Sequence, residues 1–592
     1  MTAKLFKGAE YLITEVTKDD VFTPEEFTDE QKQIGETTAQ FVLNEVVPHL
    51  EEIENHNFDV TVQLMKRCGE LGLLMIDAPE EYGGLELDKA TSMLVAEKIS
   101  TVGSFSVTYS AHTGIGTLPL VYYGTKEQKE KYLKKIISGE WIAAYCLTEP
   151  DSGSDALGAK ATATLSADGK YYLLNGTKQF ITNGSFANLY TIFAKIDKEH
   201  FTAFLVERNT EGLSVGAEEK KLGIRGTSTT QIVLENAKVP KENLLGTIGK
   251  GHKIAFNVLN VGRFKLGAGV TGAAKHALGE GIKYAVIRKQ FGAPIASFGA
   301  IKEKIADQTA AIFASESLVY RLAGMIDNKL ATIAKDTPDY YAVYQKGIEE
   351  YAIECAIAKV FCSEVLAAVV DEVVQIFGGY GFIQEYPAER FYRDERINRI
   401  FEGTNEINRL LIPGMILTRS MKGELPLQRE AMKAIEALTT PSLDESGDSG
   451  LFTAEKTLLA NLKKVFLVIA GSGVQKFMTT IKDEQEVLLA VADIAINIFA
   501  IESSVLRAEK IMPTVSEAKK AAVTAAVKVF TFNASEQAAT AARKAAYFIE
   551  EGDTLTMLLG GIRRFTKYDA TGLLREKRLL ANAAIEAEKY IF

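Results

Sequence analysis

The sequence predicts a mainly α-helical protein with a central β-domain and a C-terminal helical bundle. Apolar residues recur at steps of three and four over residues 24–140, which is the periodicity of amphipathic helices. Between residues 141 and 245 the pattern changes to short runs of β-branched and aromatic residues bounded by Gly and Asn, which indicate strands. Helical spacing returns from Gly251 to the end, interrupted by a Pro-, Ser- and Gly-containing stretch at 438–450.

These changes of pattern divide the 592 residues into several units, as expected for a chain longer than one core usually holds. We predict an N-terminal extension at 1–23, a helical domain at 24–140, a β-domain at 141–245, a helical domain at 246–437, a linker at 438–450 and a helical domain at 451–592. The strands are expected at 170–184, 189–196, 201–208 and 230–239, and the long helices of the second helical domain at 252–290, 299–328, 338–378 and 404–420.

Composition narrows the functional classes. The net charge is −10 and no block of Lys and Arg occurs, so nucleic acid is not an expected partner. The first twenty residues have no apolar signal core, and the four cysteines are scattered, so we predict a cytoplasmic protein with reduced thiols. Cys355 and Cys362 fit one helix face, but without neighbouring histidines they indicate core packing, and no metal site is predicted. The apolar stretch 487–501 contains Asp493 and Asn497 and predicts a buried helix.

Residues 267–272 spell the glycine pattern GxGxxG of dinucleotide-binding turns. That turn must follow a strand and open a helix, whereas here it lies within a predicted helix and lacks the acidic residue about twenty positions later. We therefore interpret these glycines as a close contact between helices.

Four stretches carry the chemistry: YCLTEPDSGSD at 145–155, FITNG at 180–184, QIFGGYGFIQEYPAERFYRD at 375–394 and IFEGTNEI at 400–407. The first three, taken singly, also fit a β-turn, a strand end and a helix C-cap. In the fourth, Glu402 follows a large apolar ring; burial there would raise the carboxyl pKa and make a proton-abstracting base. The alternative is a solvated glutamate at the junction of a loop and a helix.

In this order on a helical–β–helical frame, the stretches resemble the acyl-CoA dehydrogenase family over residues 24–420. Residues 375–394 fit its second signature, with Gln375, Gly378, Gly379, Arg390 and Asp394 at the matching positions. The segments 110–116, 218–231, 260–264 and 288–292, and the extra C-terminal domain, are most similar to the very-long-chain branch.

The resemblance implies FAD as the cofactor. Thr148 would bond to the flavin ring, with Thr182 near its N5 and Phe180 against it, while Ser154 would contact the flavin phosphate or the pantetheine of CoA. A second group would hold the pyrophosphate and adenosine from the neighbouring subunit of a homodimer or larger oligomer. The predicted cofactor-binding residues are Tyr145, Leu147, Thr148, Gly153, Ser154, Phe180, Ile181, Thr182, Arg288, Gln290, Phe291, Phe298, Gln375, Ile376, Gly378, Gly379, Thr404 and Glu406.

The resemblance also implies the reaction. Glu402 would remove a proton from Cα of the acyl thioester while hydride leaves Cβ for the flavin. The thioester oxygen would accept bonds from the Glu402 backbone N–H and a ribityl hydroxyl. Ser154, Asn260, Arg263 and Gly403 would lie along the substrate. In the isovaleryl branch the base instead precedes the equivalent of Arg263, and that position here is Gly262, which cannot act as a base.

Chain length and partners are less constrained by the sequence. Small residues at Ser106, Ser110 and Ala111 favour a deep acyl pocket for medium to long chains, although Tyr109 could narrow it. The expected electron acceptor is an electron-transfer flavoprotein. The competing hypotheses are an acyl-CoA oxidase and a relative that keeps FAD but binds nucleic acid. For 451–592 we expect packing on the main body, with peripheral membrane contact through the basic, leucine-containing stretch 558–578 as the alternative.

Overall fold

The N-terminal domain is a helical layer, as predicted, in a computed structural model that describes residues 4–439 and 450–592. Thr28 and Gln31 form a capping box at the first helix, and Thr125 and Gln128 form another at the last, which ends before Gly139 with φ of 75°. Two π-helical turns, Val42–Val46 and His112–Gly116, each directly follow an α-helix. The helices are α1 Asp29–Phe41, α2 Leu50–Glu54, α3 Phe58–Glu70, α4 Lys89–Lys98, α5 Gly103–Ala111, α6 Leu118–Tyr123 and α7 Lys126–Ile137.

The central domain is an eight-stranded sheet. Its strands are β1 Ala143–Cys146, β2 Thr162–Leu165, β3 Tyr171–Thr182, β4 Leu189–Ile196, β5 His200–Glu207, β6 Leu213–Val215, β7 Thr229–Pro240 and β8 Leu244–Leu245. Their order is β6-β7-β3-β2-β4-β5-β8, with β1 parallel to β4. The four predicted strands are confirmed as β3, β4, β5 and β7. The pairing of β3 with β7 shifts register between Lys178 and Ile181, which turns Phe180 outward.

The second helical domain surrounds one long central helix. Its elements are α8 Gly251–Ile287, a small hairpin of β9 Lys289–Gln290 and β10 Ala293–Pro294, α9 Gly299–Leu330, α10 Tyr340–Glu349, α11 Ala352–Phe377, α12 Ala388–Glu395, α13 Asn405–Met421 and α14 Leu427–Thr439. The GxGxxG glycines lie inside α8, as expected. A Cβ on Gly267 would meet Ala358 of α11, and one on Gly272 would overlap the carbonyl oxygen of Glu97, so these glycines permit close helix contacts.

The prediction of one helix over 338–378 is wrong, because α10 and α11 are separated at Tyr351. The break coincides with the docking of the N-terminal extension. Glu350 and Glu354 on either side of it accept hydrogen bonds from the backbone N–H groups of Gly8 and Ala9, at 2.9 and 2.6 Å. A contact with the far end of the chain is invisible to local periodicity.

The C-terminal domain is a bundle packed on the catalytic body. Its helices are α15 Thr453–Phe477, α16 Gln485–Ile511, α17 Glu517–Ile549, α18 Gly552–Phe565 and α19 Leu573–Ala587. Both α19 and α17 pack against α9, and the hydroxyl of Tyr11 donates to the carbonyl oxygen of Ala495 in α16 at 3.0 Å. The predicted linker, residues 438–450, lies outside the described residues between 440 and 449.

Two segments of this bundle, 453–483 and 485–511, are long and apolar enough to cross a membrane by length and composition. In α16, 83% of the apolar window is buried inside the protein, so this helix, which includes the stretch 487–501, is a core helix as predicted. The basic stretch 558–578 also packs inward through Leu558, Ile562 and Phe565, whereas Arg563 and Arg564 remain exposed. These contacts support the packing interpretation of the stretch; membrane contact stays a prediction.

Cys68, Cys146, Cys355 and Cys362 are buried and unpaired. Within residues 4–439 and 450–592, no group of His, Cys, Asp and Glu side chains is arranged to hold a metal ion.

Candidate active site

Glu402 lies in a short loop between the turn Arg396–Arg399 and α13. The side chain of Thr404 caps α13 by accepting a hydrogen bond from the Ile407 N–H at 3.2 Å. The loop therefore is the junction that the sequence indicated, but its glutamate is not directed to bulk water. The carboxylate lies over α8, since a Cβ added to Gly262 would come within 2.5 Å of Glu402 Oε2.

The carboxylate projects into a cavity of about 150 Å³ that is lined mainly by apolar and small side chains. Glu402, Phe401, Gly262 and Thr182 all line it. The wall contributed by α8 runs from Gly262 to Ala277, a length of about 22 Å at the rise of an α-helix. The cavity is therefore long enough for an extended chain that passes the carboxylate.

The residues predicted to deepen the pocket do line this cavity. Ser106 and Ser110 of α5 and Ala111 at its end face the space opposite α8, and Gly114 of the π-helical turn continues the same wall. Tyr109 does not narrow the cavity. Its ring is buried on the other side of α5, where the hydroxyl donates to the carbonyl oxygen of Leu73 at 2.6 Å.

The environment of Glu402 makes its carboxyl a base near neutral pH. Burial raises the pKa of Glu402 to about 7, and the nearby charges of Arg263 and Lys359 lower it by less. Oε2 is inaccessible to solvent and has no hydrogen-bond partner among the residues the structure describes. An unpartnered buried carboxyl oxygen is free to accept a proton from a ligand in the cavity.

Arg263 and Asn260, predicted to lie along the substrate, are both buried beneath the loop. Arg263 donates to the backbone carbonyl oxygen of Glu402 at 3.2 Å and to Asn260 Oδ1 at 3.0 Å. In this structure the two residues support the Glu402 loop from α8; their predicted role toward CoA stays a prediction.

The predicted flavin-ring residues lie on β1, on the loop after it and on β3, and of these Thr182 lines the cavity. The backbone of Gln179 donates to the carbonyl oxygen of Thr148 at 2.8 Å, which joins the loop after β1 to β3. Thr182 faces the cavity, and Phe180 next to it has φ of 57° and a ring that is 61% exposed. Tyr145 lies close enough to Glu402 for its phenol pKa to be raised, first by burial and then by that carboxylate. Leu147 and Ile181 are buried in the sheet.

A second group of predicted cofactor residues lines a different cleft. Arg288 and Gln290 of the β9–β10 region face Ile376, Gly378 and Gly379 at the end of α11. A Cβ on Gly378 or Gly379 would meet nothing within 4 Å in the described chain, so both glycines border open space. The cleft does not share a lining residue with the Glu402 cavity.

The remaining predicted residues are mostly at the surface. Gly153 and Ser154 are exposed in the loop after β1, and Glu406 and Gln375 are exposed on their helices. Phe291, at the tip of the β9–β10 hairpin, is 96% exposed and contacts the half-buried Phe298 edge to face.

Sequence reasoning missed Lys359 and Asn408, which both bond to the Glu402 loop. Lys359 Nζ donates to the carbonyl oxygen of Gly403 at 2.9 Å, and Asn408 Nδ2 donates to the same oxygen at 2.8 Å. The available signal was the single lysine in the apolar stretch AIAKVF of α11. A buried lysine in such a helix requires acceptors, and here the loop supplies them.

A raised carboxyl pKa alone does not single out Glu402. Burial also raises the pKa of Glu354, Asp394 and Asp327 to about 7. Glu354 and Asp327 accept backbone N–H groups at structural junctions, and Asp394 accepts the N–H of Ile224. Glu402 differs from Glu354 and Asp327 because it lines the long cavity beside Thr182. Glu395 also lines that cavity, has an oxygen without a hydrogen bond in the described chain and a pKa raised by burial, but its other oxygen accepts from Arg399 at 3.2 Å, whereas no side chain in the described residues bonds to the Glu402 carboxyl.

Comparison with known proteins agrees with this geometry. Residues 28–140, 144–237 and 249–416 match the families described as the N-terminal, middle and C-terminal domains of acyl-CoA dehydrogenase, and residues 461–564 match a further acyl-CoA dehydrogenase C-terminal domain. The chain is 49% identical to a probable acyl-CoA dehydrogenase of Bacillus subtilis (strain 168) over 589 residues, which cover 99% of both chains.

Two further relatives extend the comparison. The chain is 34% identical to the very long-chain specific acyl-CoA dehydrogenase of Homo sapiens, with 86% of this chain and 78% of that one covered. The crystal structure of acyl-CoA dehydrogenase complexed with FAD from Bacillus anthracis superposes with a TM-score of 0.96 at 49% identity, covering 99% of this chain and 100% of the other. The chain belongs to the acyl-CoA dehydrogenase family of oxidoreductases.

Proposed function

We propose that this protein is an FAD-dependent acyl-CoA dehydrogenase of fatty-acid β-oxidation that converts acyl-CoA to trans-2-enoyl-CoA. The observation that carries the proposal is the Glu402 carboxyl, whose Oε2 is buried and unpartnered within the described residues at one end of a long apolar cavity. Members of this family carry their base either at the position of Glu402 or at the position directly before Arg263. The second position is Gly262 in this chain, so Glu402 is the only carboxylate at a family base position.

In this mechanism Glu402 removes the proton from Cα of the thioester. Burial holds the pKa of Glu402 at about 7, so about half of the molecules carry the ionised carboxylate at neutral pH, and that carboxylate is still basic. The backbone N–H of Glu402 donates no hydrogen bond within residues 4–439 and 450–592 and is free to donate to the thioester oxygen, which stabilises the charge that develops there. Bound FAD supplies the acceptor for the hydride that leaves Cβ.

The residues present fit FAD. Phe180 offers an exposed ring beside Thr182 at the Glu402 cavity, which is a platform for a flat ring system. Gly378 and Gly379 leave open space for a phosphate to approach the backbone, with the cation Arg288 across the same cleft.

We further propose that the active enzyme is a homodimer or a larger oligomer built from dimers. Among the predicted cofactor residues, Thr182 lines the Glu402 cavity, whereas Arg288, Gln290, Ile376, Gly378 and Gly379 line a separate cleft of the same chain. This separation fits a flavin held between two subunits. Ile287, Phe291 and Phe382 are exposed apolar side chains beside the second cleft, with exposures of 73%, 96% and 86%.

Arg288→Ala should weaken FAD retention, and full FAD occupancy after extensive dialysis would contradict its role at the pyrophosphate.

The cavity length favours medium to long acyl chains. A short group such as butyryl would leave most of the 22 Å α8 wall unfilled, and apolar contact area supplies binding free energy of roughly 0.8 kcal/mol per buried methylene. Ala273→Phe, placed along that wall, should lower kcat/KM for palmitoyl-CoA far more than for butyryl-CoA. An equal loss for both substrates would mean that the chain does not occupy this cavity.

The first experiment is a visible spectrum of the purified protein before and after anaerobic addition of palmitoyl-CoA and then octanoyl-CoA. Flavin bands that bleach support the proposed reaction. Glu402→Gln should keep bound FAD and bind acyl-CoA without bleaching, because the amide cannot take the Cα proton. Bleaching of this variant at a rate near that of the wild type would overturn the role of Glu402.

The acceptor is proposed to be an electron-transfer flavoprotein. An acyl-CoA oxidase would be reoxidised promptly when air is admitted after reduction, whereas a dehydrogenase would be reoxidised slowly. A relative that keeps FAD only to bind nucleic acid would not be reduced by acyl-CoA at all. The same anaerobic experiment, followed by air, therefore separates the three functions.

Two further expectations go with this proposal. A cytoplasmic location fits the four buried, unpaired thiols. For the C-terminal domain we favour packing, and we test membrane contact by sedimentation with vesicles that contain anionic lipid. Loss of binding in an Arg563→Glu, Arg564→Glu variant would establish the contact, and absence of wild-type binding would exclude it.

A further inference from the structure

The backbone of the Glu402 loop is in a conformation that must be held from outside. Glu402 has φ of 60° and Gly403 has φ of 80°, so two consecutive residues lie in the left-handed region. Glycine adopts this region freely, but a glutamate does so at a cost in free energy, and such residues persist only where their surroundings determine them. The left-handed turn at Glu402 accompanies a carboxylate directed over Gly262.

Three side chains hold this loop, one each from α8, α11 and α13. Arg263 of α8 donates to the Glu402 carbonyl oxygen, and Asn408 of α13 donates to the Gly403 and Thr404 carbonyl oxygens at 2.8 and 3.1 Å. Lys359 of α11 donates to the Gly403 carbonyl oxygen at 2.9 Å and to Asn405 Oδ1 at 2.6 Å. Lys359 is thus a cation that links α11 to both sides of the Gly403–Thr404 bend.

Lys359 is fully buried, so its charge acts on the loop without screening by water. Burial lowers the pKa of Lys359 to about 7, with Glu402 opposing that shift, so the two groups exchange protons with solvent over the same pH range. The other groups facing the pair are Arg263 from α8, Tyr145 from β1, and Glu364 and Glu406, which face Lys359 from α11 and α13.

We propose that Lys359 is a positioning residue for proton abstraction. It fixes the Gly403 carbonyl oxygen so that Glu402 keeps its left-handed conformation with the carboxylate in the cavity, and its charge favours the ionised form of that carboxylate. The proposal deepens the proposed function and rests on Glu402 as the base. Lys359 itself contacts the loop and Asn405, and it does not line the cavity.

The test compares Lys359→Met, which removes the charge and the donor, with Lys359→Gln, which removes the charge but keeps a donor for Gly403. For Lys359→Met we expect kcat for flavin reduction to fall roughly ten- to a hundred-fold with KM changed little, because the base is misplaced while the acyl cavity is intact. In both variants the acid limb of the pH profile should move up by about one unit, since a nearby positive charge is lost. The fall in kcat should be smaller for Lys359→Gln than for Lys359→Met.

The matched control is Lys89→Met, at another fully buried lysine that pairs with Asp77 far along the chain from the loop. Asp77 keeps a second partner in Lys265, so this variant retains a paired carboxylate. It should lower thermal stability as Lys359→Met does, without moving the pH profile. The wild type and the variants are brought to the same FAD content, measured by absorbance, before their rates and pH profiles are compared.

An unchanged pH profile and a kcat within two-fold of the wild type in folded, FAD-loaded Lys359→Met would overturn the positioning role. The same result together with an inactive Glu402→Gln would leave the proposed function standing. If Glu402→Gln reduces its flavin at the wild-type rate, the proposed function fails first, and the inference fails with it.

Discussion

Two glutamates, Glu402 and Glu316, are treated in opposite ways by this fold. Glu402 in the cavity keeps an oxygen without a partner in the described chain, and burial raises its pKa to about 7. Glu316 of α9 lies where the C-terminal domain meets the catalytic body, and there Arg507 and Lys275 hold the carboxyl pKa far below its usual range despite burial. The difference lies in the number of partners, because both carboxyls are removed from water.

The contacts of Glu316 show what complete pairing achieves. Oε2 accepts from Arg507 of α16 at 2.6 Å and from the hydroxyl of Tyr590 at 2.8 Å, and Oε1 pairs with Lys275 of α8. Arg507 also binds Glu25 at 2.7 Å, so one cluster joins the N-terminal segment, α8, α9 and the last helical domain. Full pairing fixes domains in place, whereas incomplete pairing at Glu402 leaves a reactive group.

The largest expected effect is on stability at the domain contact. Glu316→Gln removes the anion that Arg507 and Lys275 share, although Arg507 keeps Glu25 and Lys275 keeps Glu97. Breaking a buried ion pair costs about 3–5 kcal/mol of unfolding free energy, and these second partners place the expected loss at about 3 kcal/mol. The measurement is urea unfolding at pH 7 with saturating FAD. The native pKa of Glu316 lies below the unfolded value, so its contribution is present above about pH 4.5 and is lost as the pH falls.

The difference between Glu316→Gln and the wild type should therefore shrink in acid. A variant as stable as the wild type at pH 7 would show that the paired charges contribute nothing, and the comparison with Glu402 would fail.

The next effect is on catalysis without loss of stability. Gly262→Ala would place a Cβ about 2.5 Å from Glu402 Oε2, so the flexible carboxylate must move away from its place over α8. We expect kcat/KM for palmitoyl-CoA to fall roughly a hundred-fold, as for a misplaced catalytic group. Unfolding temperature and FAD content should match the wild type. Full activity would show that the position of the carboxylate over Gly262 is not the reactive one.

A smaller effect, of opposite sign to that of Glu316→Gln, is expected for Glu402→Gln. The native pKa of about 7 exceeds the usual 4.5, so ionising Glu402 costs stability as the pH rises from about 4.5 to 7. Glu402→Gln removes that cost and should stabilise the protein by roughly 1–3 kcal/mol at pH 8 and not at all near pH 4. Thermal unfolding at the two pH values measures it, and a variant that is less stable at pH 8 would contradict the assigned pKa.

The smallest effect is expected at the edge of the same cluster. Lys98 pairs with Glu97 at 3.0 Å, but its side chain is 37% exposed, and Glu97 also binds Lys275 and Tyr320. Lys98→Ala should change unfolding free energy by less than about 0.5 kcal/mol, because exposed ion pairs are weak. A loss of unfolding free energy as large as that of Glu316→Gln would mean that burial does not distinguish strong from weak ion pairs in this protein.

Much of this protein is determined by local sequence. The period of apolar residues fixes α7 and its end before Gly139, and the β-branched runs fix β3, β4, β5 and β7, because these signals act between neighbours in the chain. The same holds for the loop-to-helix junction at Glu402 and for the small residues of α5 that line the cavity. Motif resemblance added the assignment of the family, which the comparisons support.

Only the tertiary structure decided the rest, because those features join residues far apart in sequence. The break between α10 and α11 lies where Gly8 and Ala9 dock, the Gly403 carbonyl oxygen is held by Lys359, and the low pKa of Glu316 depends on Arg507. Burial and pairing set the charge state of each buried group, and neither can be derived from a residue's neighbours in the chain. The sequence therefore determined which residues form the elements and the motifs, and the packing determined which glutamate is fixed and which can react.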